Sequence, residues 1–66
     1  MPIIRLEMLN GRTVEQKREL ADVLTRETAR IARCSTDSVQ IVFSEVDRHN
    51  WAIAGTLASE PKKSGA

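Results

Sequence analysis

The sequence predicts an α/β fold (α+β in some schemes), with β-α-β order in each subunit and a sheet that oligomerisation completes. Hydrophobicity alternates with period two at the start of the chain, follows a helical period next, and then marks a second β-rich segment. The length of 66 residues predicts the oligomer, because so short a chain buries only about 60% of the surface that its unfolded form exposes.

The first strand is predicted over Ile3–Leu9. Its apolar and charged side chains alternate, which is typical of a half-buried strand, so three apolar residues share one face: Ile4, Leu6 and Met8. Asn10-Gly11 then marks a turn, because these two residue types tolerate the backbone conformations that turns require.

A long helix is predicted from about Val14 to Arg33. Thr13 and Gln16 fit a capping box, in which each side chain satisfies a free backbone amide at the start of a helix. Apolar or small residues then recur at steps of three and four, which gives the helix one apolar stripe: Leu20, Val23, Leu24, Thr28 and Ile31.

The second half of the chain is predicted to hold a loop at 34–38 and a strand at Val39–Phe43. This strand is largely apolar on both faces, as in a buried parallel strand, so a right-handed crossover is expected to lay the helix on one face of the sheet. A short hairpin or arm is expected at 51–55. The domain spans 1–59, and 60–66 is expected to be a mobile tail.

Several routes to stability are closed to this chain. Cys34 is the only cysteine, so no disulfide forms within it, and Cys34 and His49 alone make a poor metal site. A two-stranded sheet is not independently stable, and its open edge favours pairing with another copy. The sequence therefore predicts a multimer.

Charge argues against two classes of partner. Ten basic residues balance nine acidic ones, so no electrostatic surface for nucleic acid or an anionic membrane is expected. Arg26, Arg30 and Arg33 form a stripe near the helix end, which we interpret as a solvated face that complements the helix dipole. With no long apolar segment and no signal peptide, a cytoplasmic location is the expectation.

Pro2 is a candidate general base. Methionine is generally removed before a small residue, and removal of Met1 would leave Pro2 with a secondary amine. An α-amino group has a pKa of about 7.7–8.0, and a nearby cation or an apolar pocket lowers it toward the range that suits a base at neutral pH.

Several short motifs occur in order along residues 2–59: Pro2-Ile3, Leu9-Asn10-Gly11-Arg12-Thr13, Glu15-Gln16-Lys17, Ser38-Val39, Glu45, His49-Asn50-Trp51-Ala52-Ile53-Ala54-Gly55 and Leu57-Ala58-Ser59. Together they resemble the 4-oxalocrotonate tautomerase family. The resemblance implies a β-α-β subunit that forms dimers with a four-stranded sheet, and commonly a homohexamer of three dimers. It also implies proton transfer between carbons of a small enol or dienol carboxylic acid, without cofactor or metal.

The resemblance assigns roles to three residues. Pro2 corresponds to the catalytic base. Arg12 corresponds to an arginine that binds the substrate carboxylate, reaching from a neighbouring subunit, and a guanidinium suits this task through its bidentate geometry. Trp51 stands where the family has an aromatic residue, usually phenylalanine, that keeps the pocket apolar.

Gln40 departs from the family pattern. It occupies the place of a second arginine that polarises the substrate, and a neutral hydrogen bond contributes less than a charged one. Dicarboxylates such as 2-hydroxymuconate are therefore less favoured, and monocarboxylic enols such as phenylenolpyruvate more so. Arg5 or Arg48 is a candidate source of a replacement charge.

Two other functions stay open. One is hydration, as in the haloacrylate dehalogenases of the superfamily, in which a protonated proline acts as an acid and a carboxylate activates water. Glu7, Glu45 and Asp47 are the available carboxylates, although surface roles are favoured for all three. The other is an inactive oligomeric module that binds small acids.

Overall fold

A computed structural model describes residues 1–61 of the chain. The elements are, in order, β1 (Ile3–Leu9), α1 (Val14–Ala32), a 3-10 turn (Thr36–Ser38), β2 (Gln40–Val46), a second 3-10 turn (Arg48–Asn50), β3 (Ala52–Ile53) and β4 (Thr56–Leu57). The β-α-β order is confirmed. Most of the tail predicted over 60–66 lies outside the described residues.

β1 and β2 form a parallel pair, residue by residue, from Ile3 opposite Gln40 to Leu9 opposite Val46. The prediction of 39–43 for the second strand is wrong at both ends. β2 continues to Val46 because its last three residues still find ladder partners on β1, which strand propensity alone does not reveal.

The capping box at the start of α1 is confirmed. The hydroxyl of Thr13 accepts a hydrogen bond from the Gln16 amide at 3.1 Å, and the Gln16 side-chain oxygen accepts one from the Thr13 amide at 2.9 Å. The predicted last residue, Arg33, is instead the cap: its φ of 57° is left-handed, and its amide donates to the Ala29 carbonyl. No glycine marks this end, so the sequence placed it one residue late.

α1 covers one face of the β1–β2 sheet. Lys17 Nζ lies 2.7 Å from Glu45 Oε2 and ties the first turns of the helix to the end of β2. Among residues 1–61 only Ala29 is buried, whereas Ile31 of the predicted apolar stripe is 69% exposed. The stripe is therefore wider than one subunit can cover.

The arginine stripe is largely paired on the helix surface. Arg26 lies 3.2 Å from Asp22, and Arg30 lies 2.7 Å from Glu27. The hydrogen bond from Arg30 lowers the pKa of the Glu27 carboxyl below its usual value. These pairs agree with a solvated face. Within residues 1–61, no helix has both the length and the apolar character to cross a membrane.

The second face of the sheet is bare. Ile3 on β1 is 60% exposed and Val42 on β2 is 43% exposed, and at the hairpin Ile53 is 70% exposed. The radius of gyration is 15.9 Å, against about 11 Å for a compact domain of this length. These features describe a subunit whose sheet is completed by oligomerisation.

Candidate active site

Pro2 lies at the amino end of β1, and Gln40 lies beside it. The Gln40 amide donates a hydrogen bond to the Pro2 carbonyl at 3.0 Å, which continues the ladder of the parallel pair by one step. Pro2 itself is half-buried, whereas Met1 is 76% exposed. Loss of Met1 would therefore leave the packing of this end nearly unchanged.

The side chain of Gln40 is exposed at the same end. Because side chains alternate along a strand and partners in register share a face, Gln40 and Ile3 both lie on the bare face. Arg5, opposite Val42, is the next residue of β1 on that face. Of the two candidate replacement cations, Arg5 is thus close to Gln40, whereas Arg48 follows the far end of β2.

Arg12 lies in the loop that joins β1 to α1. The loop turns at Gly11, whose φ of 117° is a conformation that other residues rarely adopt. Arg12 is exposed and lines an open groove of about 380 Å³ together with residues of α1: Gln16, Glu19, Leu20, Val23 and Leu24. No salt bridge among residues 1–61 involves Arg12, so its guanidinium is available to an anion.

Trp51 connects the second 3-10 turn to the β3–β4 hairpin. It is half-buried, and its carbonyl accepts a hydrogen bond from the Ala58 amide at 2.7 Å across the base of the hairpin. His49 Nδ1 lies 2.9 Å from Ser59 Oγ and closes the same base. The indole is therefore carried by a segment that is fixed at both sides.

The four candidate residues form two groups rather than one site. Pro2 and Gln40 lie at the amino end of the sheet, whereas Arg12 and Trp51 follow the carboxyl ends of β1 and β2. A strand rises about 3.3 Å per residue, so the seven residues of β1 separate Pro2 from the Arg12 loop by roughly 23 Å. One small acid cannot contact both within a subunit.

Two of the three candidate water-activating carboxylates are already engaged. Glu45 pairs with Lys17, and Asp47 Oδ1 accepts a hydrogen bond from the side-chain amide of Asn10. Glu7 is exposed on the bare face, opposite Ser44. The sequence did not predict the Asn10–Asp47 contact. Asn10 indicated only a turn, and no local pattern links residues 37 positions apart.

Among residues 1–61, no three of the His, Cys, Asp and Glu side chains approach one another closely enough to hold a metal ion.

Comparison with known proteins points to a single family. The family described as "Tautomerase enzyme" matches residues 2–60. The chain is 33% identical over 60 residues to a 2-hydroxymuconate tautomerase of Comamonas testosteroni, covering 91% of this chain and 95% of that protein. It is 32% identical to a 2-hydroxymuconate tautomerase of Bacillus subtilis, covering 91% and 97%.

Solved structures agree. A 4-oxalocrotonate tautomerase homologue superimposes with a TM-score of 0.89 at 33% identity, covering 96% of this chain and all of that one. A heterohexameric 4-oxalocrotonate tautomerase from Chloroflexus aurantiacus gives a TM-score of 0.87 at 32% identity, covering 94% and 100%.

Proposed function

The chain belongs to the tautomerase family and is an isomerase of the tautomerase type; from this premise we propose that it moves a proton between atoms of small enol or dienol carboxylic acids, with Pro2 as the base. The amine of Pro2 accepts the proton of the enol hydroxyl as the carbonyl forms. It then delivers a proton to a carbon of the conjugated system, so the reaction is a net isomerisation.

The amine exists only after Met1 has been removed, since in a Met1–Pro2 peptide bond the nitrogen is an amide without basicity. Two observations support removal. The family match begins at Pro2, and Met1 is exposed, with Pro2 half-buried behind it. The Pro2 amine is neutral at physiological pH only if its surroundings disfavour the charged form. Exposed Ile3 supplies apolar surroundings of this kind once a neighbouring subunit excludes water.

We propose that Arg12 binds the substrate carboxylate in the site of a neighbouring subunit. Its guanidinium is unpaired among residues 1–61 and lies roughly 23 Å along β1 from its own Pro2. A second copy is thus needed to complete each site. The assembly we propose is a homo-oligomer, a hexamer built as a trimer of dimers, which would also cover the bare face of the sheet and the exposed Ile53.

Trp51 and Gln40 complete the proposed site. The half-buried indole supplies apolar surface that excludes water from the reacting atoms, which strengthens the electrostatic contacts around them. The side-chain amide of Gln40 donates a neutral hydrogen bond to the oxygen on which charge develops.

The observation that carries the proposal is the match of the family from Pro2 onward, with Pro2 at the amino end of β1. The test compares three proteins: the processed chain, the same chain with a short peptide still attached before Pro2, and Pro2→Ala. Intact mass establishes which amino terminus each one has. Phenylenolpyruvate and 2-hydroxymuconate serve as substrates.

We expect the processed chain to ketonise at least one of them, and the blocked chain to lose about 10²–10⁴-fold in kcat, the usual contribution of a general base. Pro2→Ala retains a primary amine and should fall between the two. The rate of the processed chain should rise with pH as the amine becomes neutral; a rate that instead falls over that range indicates a proline acid and the hydratase chemistry. Equal rates for processed and blocked chains would refute the role of Pro2.

A further inference from the structure

One side-chain contact ties together the two segments that carry Arg12 and Trp51. The side-chain amide of Asn10 donates to Asp47 Oδ1, and the backbone amide of Asn10 donates to the Val46 carbonyl at 3.0 Å. Asn10 begins the loop that leads to Arg12, and Asp47 precedes the 3-10 turn that leads to Trp51. Both bonds lie at the carboxyl end of the sheet.

We propose that Asn10 and Asp47 are positioning residues, which hold Arg12 in the orientation that binds the substrate carboxylate. We refer to the Asn10–Asp47 contact as the clasp. This inference rests on the proposed role of Arg12 and adds to it the residues that fix its place. Neither clasp residue is expected to touch the substrate.

The loop needs such a restraint because of its backbone. Thr13 is fixed on one side by the capping box, and Asn10 is fixed on the other by the clasp together with its backbone hydrogen bond to Val46. Between them stand only Gly11, at a φ of 117°, and Arg12. Glycine has more conformational freedom than any other residue, so release of Asn10 would let Arg12 sample many orientations, and binding would have to restore one of them at a cost in entropy.

The clasp also determines which group the Asp47 carboxylate contacts. Asp47 is a carboxylate, and its partner is a neutral amide rather than the guanidinium two residues further along. If Asn10 releases Asp47, this carboxylate is free to pair with Arg12 and to compete with the carboxylate of the substrate. Loss of Asn10 should therefore be more harmful than loss of Asp47, which removes the clasp and the competitor together.

The test measures KM and kcat with phenylenolpyruvate or 2-hydroxymuconate for six variants of the processed protein: Asn10→Ala, Asp47→Ala, the double variant of these two, the exchange Asn10→Asp with Asp47→Asn, Arg12→Ala, and Arg12→Ala combined with Asn10→Ala. Glu27→Gln is the control, because it removes the charge of another exposed side-chain pair, with Arg30 at 2.7 Å, on the helix surface. Thermal unfolding of each protein reports any loss of stability.

We expect Asn10→Ala to raise KM about tenfold and Asp47→Ala about threefold, each with kcat changed less than about twofold, because binding to the ground state and to the transition state is weakened equally. The double variant should resemble Asp47→Ala. The exchange preserves an amide facing a carboxylate and should restore KM to within about twofold of the parent. Glu27→Gln should leave KM unchanged.

A merely structural contact would behave differently: the variants would unfold at lower temperature and lose kcat with the fraction of folded protein, while KM stayed constant. That pattern overturns the inference, as does an exchange variant no better than Asn10→Ala.

In an Arg12→Ala background the Asn10→Ala change should have no further effect on KM, since it acts through Arg12. If Arg12→Ala itself leaves KM unchanged, the proposed function fails at that residue; if it raises KM and the clasp variants do not, only the clasp is refuted.

Discussion

The two ends of the β1–β2 sheet are built in opposite ways. At the amino end Pro2 and Gln40 are joined by one backbone hydrogen bond, and the side chains beside them are exposed and largely apolar. At the carboxyl end, side-chain bonds connect the loop before α1, the helix itself, β2 and the base of the hairpin.

This contrast fits two different tasks. The proposed base needs little more than an amine in surroundings that disfavour its charge, and in the proposed assembly another subunit supplies those surroundings. An arginine that recognises a carboxylate needs a defined direction, which its own subunit must supply through fixed bonds. In the proposed assembly each subunit would provide half of two sites, and neither half would be sufficient.

The largest expected effect tests whether the two ends act in different subunits. A chain whose Pro2 nitrogen is blocked and an Arg12→Ala chain should each have little activity alone. When the two chains are unfolded together and refolded, about a quarter of the sites should be active. Random assortment of the chains in a symmetric oligomer gives that share of the sites an intact Pro2 from one subunit and an intact Arg12 from the other. Separately refolded proteins mixed afterwards, without subunit exchange, are the control. No recovery in verified mixed oligomers would mean that each site is built within one subunit.

A charge on the bare face between the two ends should separate the subunits. Val42→Lys places an ammonium directly across the strand pair from Arg5, where the assembly would bury two like charges at a cost of several kcal/mol. We expect sedimentation to show smaller species and circular dichroism to show loss of helix. Val42→Thr has nearly the same shape without the charge and should assemble. If Val42→Lys keeps the parent's size and stability, this face is solvent-exposed in the assembly.

A charge at position 40, at the amino end of the sheet, tests how Gln40 acts on the substrate and on Pro2. Gln40→Arg adds a cation and should raise kcat/KM for 2-hydroxymuconate by about tenfold, because a charged hydrogen bond replaces a neutral one; phenylenolpyruvate should gain less. A cation also disfavours the protonated amine, so the acidic limb of the pH–rate profile should move to lower pH. Gln40→Glu should move both quantities the other way, and a result with the same sign for both variants would contradict this role.

The smallest effect concerns the hairpin beyond the carboxyl end. Ala54 and Gly55 form its two-residue turn with φ values of 53° and 82°, as in a type I′ turn. A left-handed non-glycine residue costs about 1–2 kcal/mol, so Ala54→Gly should raise the free energy of unfolding by about 1 kcal/mol. Ala52→Gly, in β3, should lower it. Thermal unfolding measures both; a less stable Ala54→Gly would contradict the turn geometry.

Local patterns account for the elements that the sequence predicted well. The alternation of β1, the capping box at Thr13 and the turn at Asn10-Gly11 each depend on neighbours within a few residues, so periodicity and turn chemistry were sufficient. The sequence placed the ends of β2 and α1 wrongly. The end of β2 at Val46 depends on a partner strand, and the end of α1 depends on Arg33, a left-handed residue that is not glycine.

Taken alone, the amino-acid order determined the β-α-β subunit and the need for a multimer, because these follow from periodicity and length. It offered Pro2 as a candidate through residue chemistry, whereas Arg12, Trp51 and Gln40 became candidates only through the family resemblance. Only the tertiary structure decided how those residues divide between the two ends of the sheet, which acids are already paired, and that Asn10 meets Asp47. Contacts between residues far apart in sequence arise from packing, and no local pattern encodes them.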